Sequence, residues 1–208
     1  MTDVPPKAQP LELPKIDWKE ASKAIETIKP LSERGWVIVA AAKLDERLEI
    51  VLKSFFANIP KAADKVFNET GPIGTFYARI EIAFLLGLIS EREHRILHLI
   101  RKIRNDFSHK SDDLSFSESP IRERCEAFDT TLILGSPSGR NTHMDKFFSA
   151  FQFIFLALLY REEKIKHLEL PQPLSDEELK SWFKALESVE ANEAILKDVT
   201  PGGDGGKG

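Results

Sequence analysis

The sequence predicts an all-α fold, a multi-helix bundle of about six to eight helices. Three observations carry that prediction. Apolar residues recur at three and four spacing through the middle of the chain, Pro and Gly stop signals punctuate the pattern, and Ser or Thr followed three residues later by an acid marks several helix starts. No alternating run is long enough to read as a strand.

Taken in order, a first helix is expected near Asp17 to Ile28, with Trp18, Ala21, Ile25 and Ile28 on one side and Pro30 ending it. A long helix follows from about Ser32 to Ile59. It is apolar nearly all round from Trp36 to Ala42, then narrows to a stripe of Leu44, Leu48, Val51, Leu52 and Phe55. A short helix near Lys61 to Asn68 leads into the tight turn Gly71-Pro72-Ile73-Gly74, and another spans Thr75 to Leu86, after which Gly87 suits the left-handed cap position. Ser90 with Glu93 forms a capping box and opens the helix that ends at His109. Beyond a polar loop anchored by Leu114 and Phe116, Ser119-Pro120 reads as N-cap and first-turn proline of a short helix to about Phe128. Gly135 to Gly139 reads as a loop, Thr142 with Asp145 caps a Phe-rich helix, and Ser175 with Glu178 caps a last one ending near Lys197.

A chain of 208 residues, 42% hydrophobic and 30% charged, fits one core, expected over residues 15–198. The tails, 1–14 with four prolines and 199–208 rich in glycine, are expected to be disordered. Fourteen of the nineteen aromatics are Phe, so the core should be built from Phe and aliphatic side chains. The lone Cys125 cannot form an internal disulfide, and the N-terminus has no secretory signal pattern; a reducing cytoplasmic setting is expected. The longest apolar run, Phe147 to Tyr160, is too short to span a membrane, which needs roughly 18 residues. It reads as a central buried helix. With a net charge of -4, any nucleic-acid binding would need a local basic patch.

The helix from Ser90 provides that patch. Turned at about 100° per residue, it places Ile96, Leu99, Ile100, Ile103 and Phe107 on a core-facing stripe and His94, His98, Arg101, Asn105 and His109 opposite, with Arg104 at the border. Between Glu91 and Lys110 six Lys/Arg outweigh three acids, whereas residues 171–198 hold seven acids against three lysines, so the positive field is concentrated on one helix. A solvated surface with pairs such as Lys102 and Asp106 accounts for many of these charges. It does not account for His, Arg and Asn gathering on one side. His94 and His98 could grip a metal, but Glu91 and Arg95 do not supply the missing third ligand, so no metal is expected. No cofactor is expected either, since Gly71 to Gly74 lacks the Lys-Ser/Thr pair of a phosphate loop, and Cys125 reads as a small buried hydrophobe.

The segments Glu33-Arg34-Gly35-Trp36-Val37, Leu44-Asp45, Gly71-Pro72-Ile73-Gly74, Ala78-Arg79-Ile80, Leu86-Gly87-Leu88-Ile89, Ile103 to His109 and Leu114-Ser115-Phe116 follow one another in an order that, from about Arg34 to Tyr160, resembles the mannitol repressor family. It implies an all-helical regulator, a homodimer acting on transcription through a protein partner, with Arg101, Lys102, His94 and His98 as candidate partner- or nucleic-acid-binding residues. Arg104-Asn105-x-x-x-His109 also resembles the signature of HEPN domains, many of them metal-independent ribonucleases. That resemblance implies an alternative in which Arg104 holds an RNA phosphate, Asn105 orients it and His109 shuttles the proton. An imidazole with an ordinary pKa of about 6.5 suits that role, typically contributing about 10² to 10⁴ in rate.

Overall fold

The computed structural model describes residues 17–28, 30–109, 114–128 and 142–186. Among these there is no strand. The helices are α1 Trp18–Ile28, α2 Glu33–Phe55, α3 Pro60–Phe67, α4 Phe76–Leu85, α5 Glu91–His109, α6 Ile121–Glu126 and α7 His143–Lys164, with an eighth, α8, over residues 176–186. The chain forms two compact units that divide between Leu168 and Glu169. The expected tails, the loop at Gly135 to Gly139 and the end of the last helix near Lys197 lie outside the described residues.

Local chemistry sets the helix starts. Ser32 accepts from Gly35 N–H to open α2, and Thr75 does the same for Ala78 at α4. At α5, the Glu93 carboxylate accepts from Ser90 N–H at 2.7 Å while Ser90 Oγ accepts from Glu93 N–H at 3.3 Å. At α7, Thr142 and Asp145 make the same reciprocal pair. Within the second unit, Ser175 and Glu178 do so before α8. Three expectations need correction. α2 stops at Phe55, four residues early, because Phe56 turns to extended backbone at ψ 158°. Pro120 occupies the cap position of α6 rather than its first turn. Ser119 does not cap the backbone; its hydroxyl donates to Glu123 Oε1 at 2.6 Å, and the Ser119-Pro120 peptide is cis.

The core of the first unit forms around α2, which packs against α1, α4, α5 and α7. Val37, Leu44, Leu48, Val51 and Leu52 of α2 are fully buried, as are Phe147 of α7 and Ile100, Ile103 and Phe107 of α5. Burial of this kind contributes about 25 cal/mol per Å² of apolar surface. Aromatic rings join the layers: Trp36 lies 5.0 Å from Phe148, and Phe116 bridges Phe107 and Phe147 at 5.6 and 5.5 Å. Phe116 therefore anchors its loop, as the sequence suggested. No helix among the described residues is long and apolar enough to cross a membrane.

Three arginines tie the helices together from within. Arg47 of α2 pairs with Glu20 of α1 and, at 2.7 Å, with Glu162 of α7. Arg79 of α4 meets Asp45 and Glu49 of α2 at 2.7 and 2.6 Å and donates to the carbonyls of Ile73 and Phe67. Arg161 of α7 reaches the capping Glu93 of α5 at 2.7 Å. Arg47, Arg79 and Glu93 are themselves buried. Each meets opposite charge or a carbonyl, which offsets the cost of removing it from water.

Candidate functional site

The α4–α5 hairpin holds the residues of interest. Its turn closes at Gly87, whose φ of +69° is left-handed and costs an L side chain strain, and Gly87 N–H donates to Phe84 O while Leu88 N–H donates to Ala83 O. The two helices return side by side. Residues equally far before and after the glycine therefore come level, so that Glu81, six residues before it, faces His94, seven after.

His94 and His98 are not on a free outer edge. With side chains 20% and 17% exposed, they lie in the seam between α4 and α5. Phe84 stacks on the His94 ring at 4.3 Å, and the Tyr77 ring lies 5.7 Å from that of His98. Glu81 Oε1 sits 2.7 Å from His98 Nε2 and 3.3 Å from His94 Nε2, and the two imidazole nitrogens are 3.1 Å apart. Desolvation is the largest influence on His98 and lowers its pKa; the neighbouring His94 and Arg101 charges push the same way, and the bond to Glu81 opposes them without prevailing. Burial pushes Glu81 upward, but its bonds to both histidines outweigh this and hold its carboxyl below the usual range.

Further along α5, the Arg101 guanidinium rests 5.0 Å from the centre of the Tyr77 ring. Arg92, Arg95 and Lys102 line an open groove of about 510 Å³ together with His94, His98 and Leu99. Leu99 is partly buried rather than sealed, and Leu97, left out of the sequence-derived stripe, is fully buried. Asp106 pairs with Arg124 of α6 rather than with Lys102, because α6 packs across that side of α5.

The remaining residues of the 104–109 segment differ in burial. Arg104 is half-buried and close enough to Asp45 of α2 that its charge acts on that carboxylate, whose pKa burial nonetheless raises against the pull of Arg79 and Arg104. Asn105 is half-buried, and His109 is exposed at the last residue of α5. Ser108 folds its hydroxyl back to the Arg104 carbonyl at 2.8 Å. Cys125 is fully buried and its thiol is pushed up to about 12 by desolvation, so it is not a nucleophile at neutral pH.

A family model described as "Mannitol repressor" matches residues 22–163, which takes in α2 to α6 whole, α1 from residue 22 to its end and all of α7 but its last residue. The chain belongs to the mannitol repressor family. The "Mannitol operon repressor" of Escherichia coli strain K12 is 22% identical over 92 residues, covering 42% of this chain and 47% of that protein, and the protein of the same name from E. coli O6:H1 aligns with the same figures. The alignment thus spans just under half of these curated relatives. Among solved structures, one described as the "MtlR-HPr complex from Escherichia coli" superposes with a TM-score of 0.50 at 17% identity, covering 69% of this chain and 96% of that one. At that identity the likeness is one of fold. For a mannitol repressor family member, the helical body expected from the sequence is therefore in place, and the hairpin seam lies within the matched segment.

Glu81 escaped the sequence reading. The signal that could have found it is the left-handed glycine: folding the chain back at Gly87 brings an acid level with the first of two histidines at i, i+4.

Proposed function

We propose that this chain is a repressor-type transcriptional regulator that works in the cytoplasm as a homodimer, acts by binding another protein, and uses the basic edge of α5 to do so. The observation that carries the reading is the family match across residues 22–163, the segment that holds the groove lined by Arg92, Arg95 and Lys102. Two features disfavour direct reading of DNA. The chain has a net charge of -4. A helix that enters a major groove also needs a free face, whereas α5 buries Ile96, Leu97, Ile100, Ile103 and Phe107 and folds His94 and His98 against α4. Three cations around a groove suit a partner with acidic groups.

The solved relative is described as a complex with HPr, so a protein of that kind is the first partner to titrate. The purified chain should bind it, and Arg95→Glu combined with Lys102→Glu should weaken binding at least about ten-fold, mostly through slower association. Light scattering should give twice the chain mass. Tight, sequence-selective binding to operator DNA by the pure protein at physiological salt would overturn the proposal. Metal-free cleavage of RNA, lost in both Arg104→Ala and His109→Ala, would replace it with the ribonuclease chemistry of Arg104, Asn105 and His109.

A further inference from the structure

We propose that Glu81, His94 and His98 form a binding site for a zinc-class divalent cation, held across the α4–α5 hairpin. The inference stands apart from the proposed function and uses none of its assumptions. Its basis is convergence: one carboxylate oxygen and two imidazole nitrogens, from two helices, all lie within 4.8 Å of one another. Their separations are 2.7, 3.3 and 3.1 Å. Bonds of about 2.0 to 2.1 Å to zinc in a tetrahedral arrangement put ligand atoms roughly 3.3 Å apart. A cation seated between them therefore requires the Glu81–His98 contact to open by about 0.6 Å, while the other two separations already lie within about 0.2 Å of that spacing.

Hydrogen bonding alone describes this cluster less well. If both Nε2 atoms carry protons, two N–H donors aimed at one oxygen sit 3.1 Å apart and repel. If only His98 carries one, the bare lone pair of His94 faces the same point as the carboxylate. A dication satisfies all three lone pairs at once. Two imidazoles and one carboxylate match zinc and other borderline first-row metals rather than calcium or magnesium, which take oxygen ligands. The rings are also held in place before any ion arrives, His94 by the stacked Phe84 and His98 by Tyr77. One carboxylate against a dication leaves a unit of positive charge, and both histidines line the α5 groove, so the fourth position favours an anionic oxygen or hydroxide from that side.

The test is a competition titration of the tag-free full chain with Zn²⁺ against a chromophoric chelator. Wild type is expected to bind one equivalent, with affinity reduced at least about ten-fold in Glu81→Gln and in His98→Ala. His143→Ala, outside the cluster, should leave it unchanged. Glu81→Gln preserves shape at a partly exposed position, so its helical circular dichroism should match wild type. A second readout needs no variant: added Zn²⁺ should shift the Nε2 resonances of His94 and His98 and leave those of His109 and His167 in place. Failure of wild type to bind at micromolar protein, equal affinity in folded Glu81→Gln and His98→Ala, or unshifted His94 and His98 resonances would each overturn the proposal. Binding of HPr-type protein or DNA has no bearing on these outcomes.

Discussion

The α2 centre and the α4–α5 seam both hold charged groups away from bulk water, and they settle them in opposite ways. Around α2, each buried arginine is met from several sides: Arg79 by Asp45, Glu49 and two carbonyls, Arg47 by Glu20 and Glu162. In the seam, one carboxylate oxygen of Glu81 and one ring nitrogen each of His94 and His98 lie within 4.8 Å of one another. In the first arrangement the charges are answered within the fold, each guanidinium by carboxylates brought from other helices. In the second a single carboxylate oxygen is shared by two imidazole nitrogens, and that convergence is what the proposed cation site rests on. That contrast separates polar groups that hold the fold from polar groups available for binding.

Variants in the first region should cost the most. Phe107→Ala removes a fully buried ring that touches Phe116, and should lower unfolding free energy by about 3–5 kcal/mol in a urea titration. Arg79→Ala strands Asp45 and Glu49 and two carbonyls. Because those acids remain about a quarter exposed, the expected loss is about 3 kcal/mol, the low end for a buried pair. If Arg79→Ala proved neutral, the distinction between the regions would fail. Thr142→Ala removes one half of the α7 capping box and should cost about 1 kcal/mol by the same measurement.

The seam should declare itself through pH rather than through a large loss. His98 and Glu81 both have lowered pKa values in the folded protein, so over the affected range the unfolded chain binds more protons than the folded one. Their contribution is present in full above about 6.5, the ordinary histidine value. It falls for His98 as pH drops below that, and for Glu81 as pH drops below its ordinary 4.5. Urea midpoints measured down through this range should decline more steeply in wild type than in His98→Ala. An equal slope would show that the imidazole is not held by the seam. Smallest of all, Lys102→Glu on the exposed edge should change stability by no more than about 0.5 kcal/mol while weakening partner binding.

Most of the fold was legible from the sequence because its determinants are local. Capping pairs at Ser90, Thr142 and Ser175, the left-handed Gly87 and the apolar spacing in α2 and α7 each act within one or two turns. The site was legible only in part. His94 and His98 stood out by spacing, yet they were placed on an open face, since a helical wheel shows one helix and not the neighbour that covers it. Leu97 was missed for the same reason, as α5 is enclosed over a wider arc than one stripe. Lys102 and Asp106 satisfy the rule for neighbours along a helix, but Arg124 comes from a different element and prevails. The burial of Arg79 and the role of Glu81 depend on contacts between helices, which periodicity does not encode.

Only Leu86 to Ser90 separate α4 from α5, and the left-handed residue fixes how the chain reverses there. With so little slack, the two rods cannot part without unwinding their ends. Anything that grips both at once is therefore coupled to cooperative melting of the hairpin rather than to a local gate, so amide exchange in the two segments should slow together when it binds.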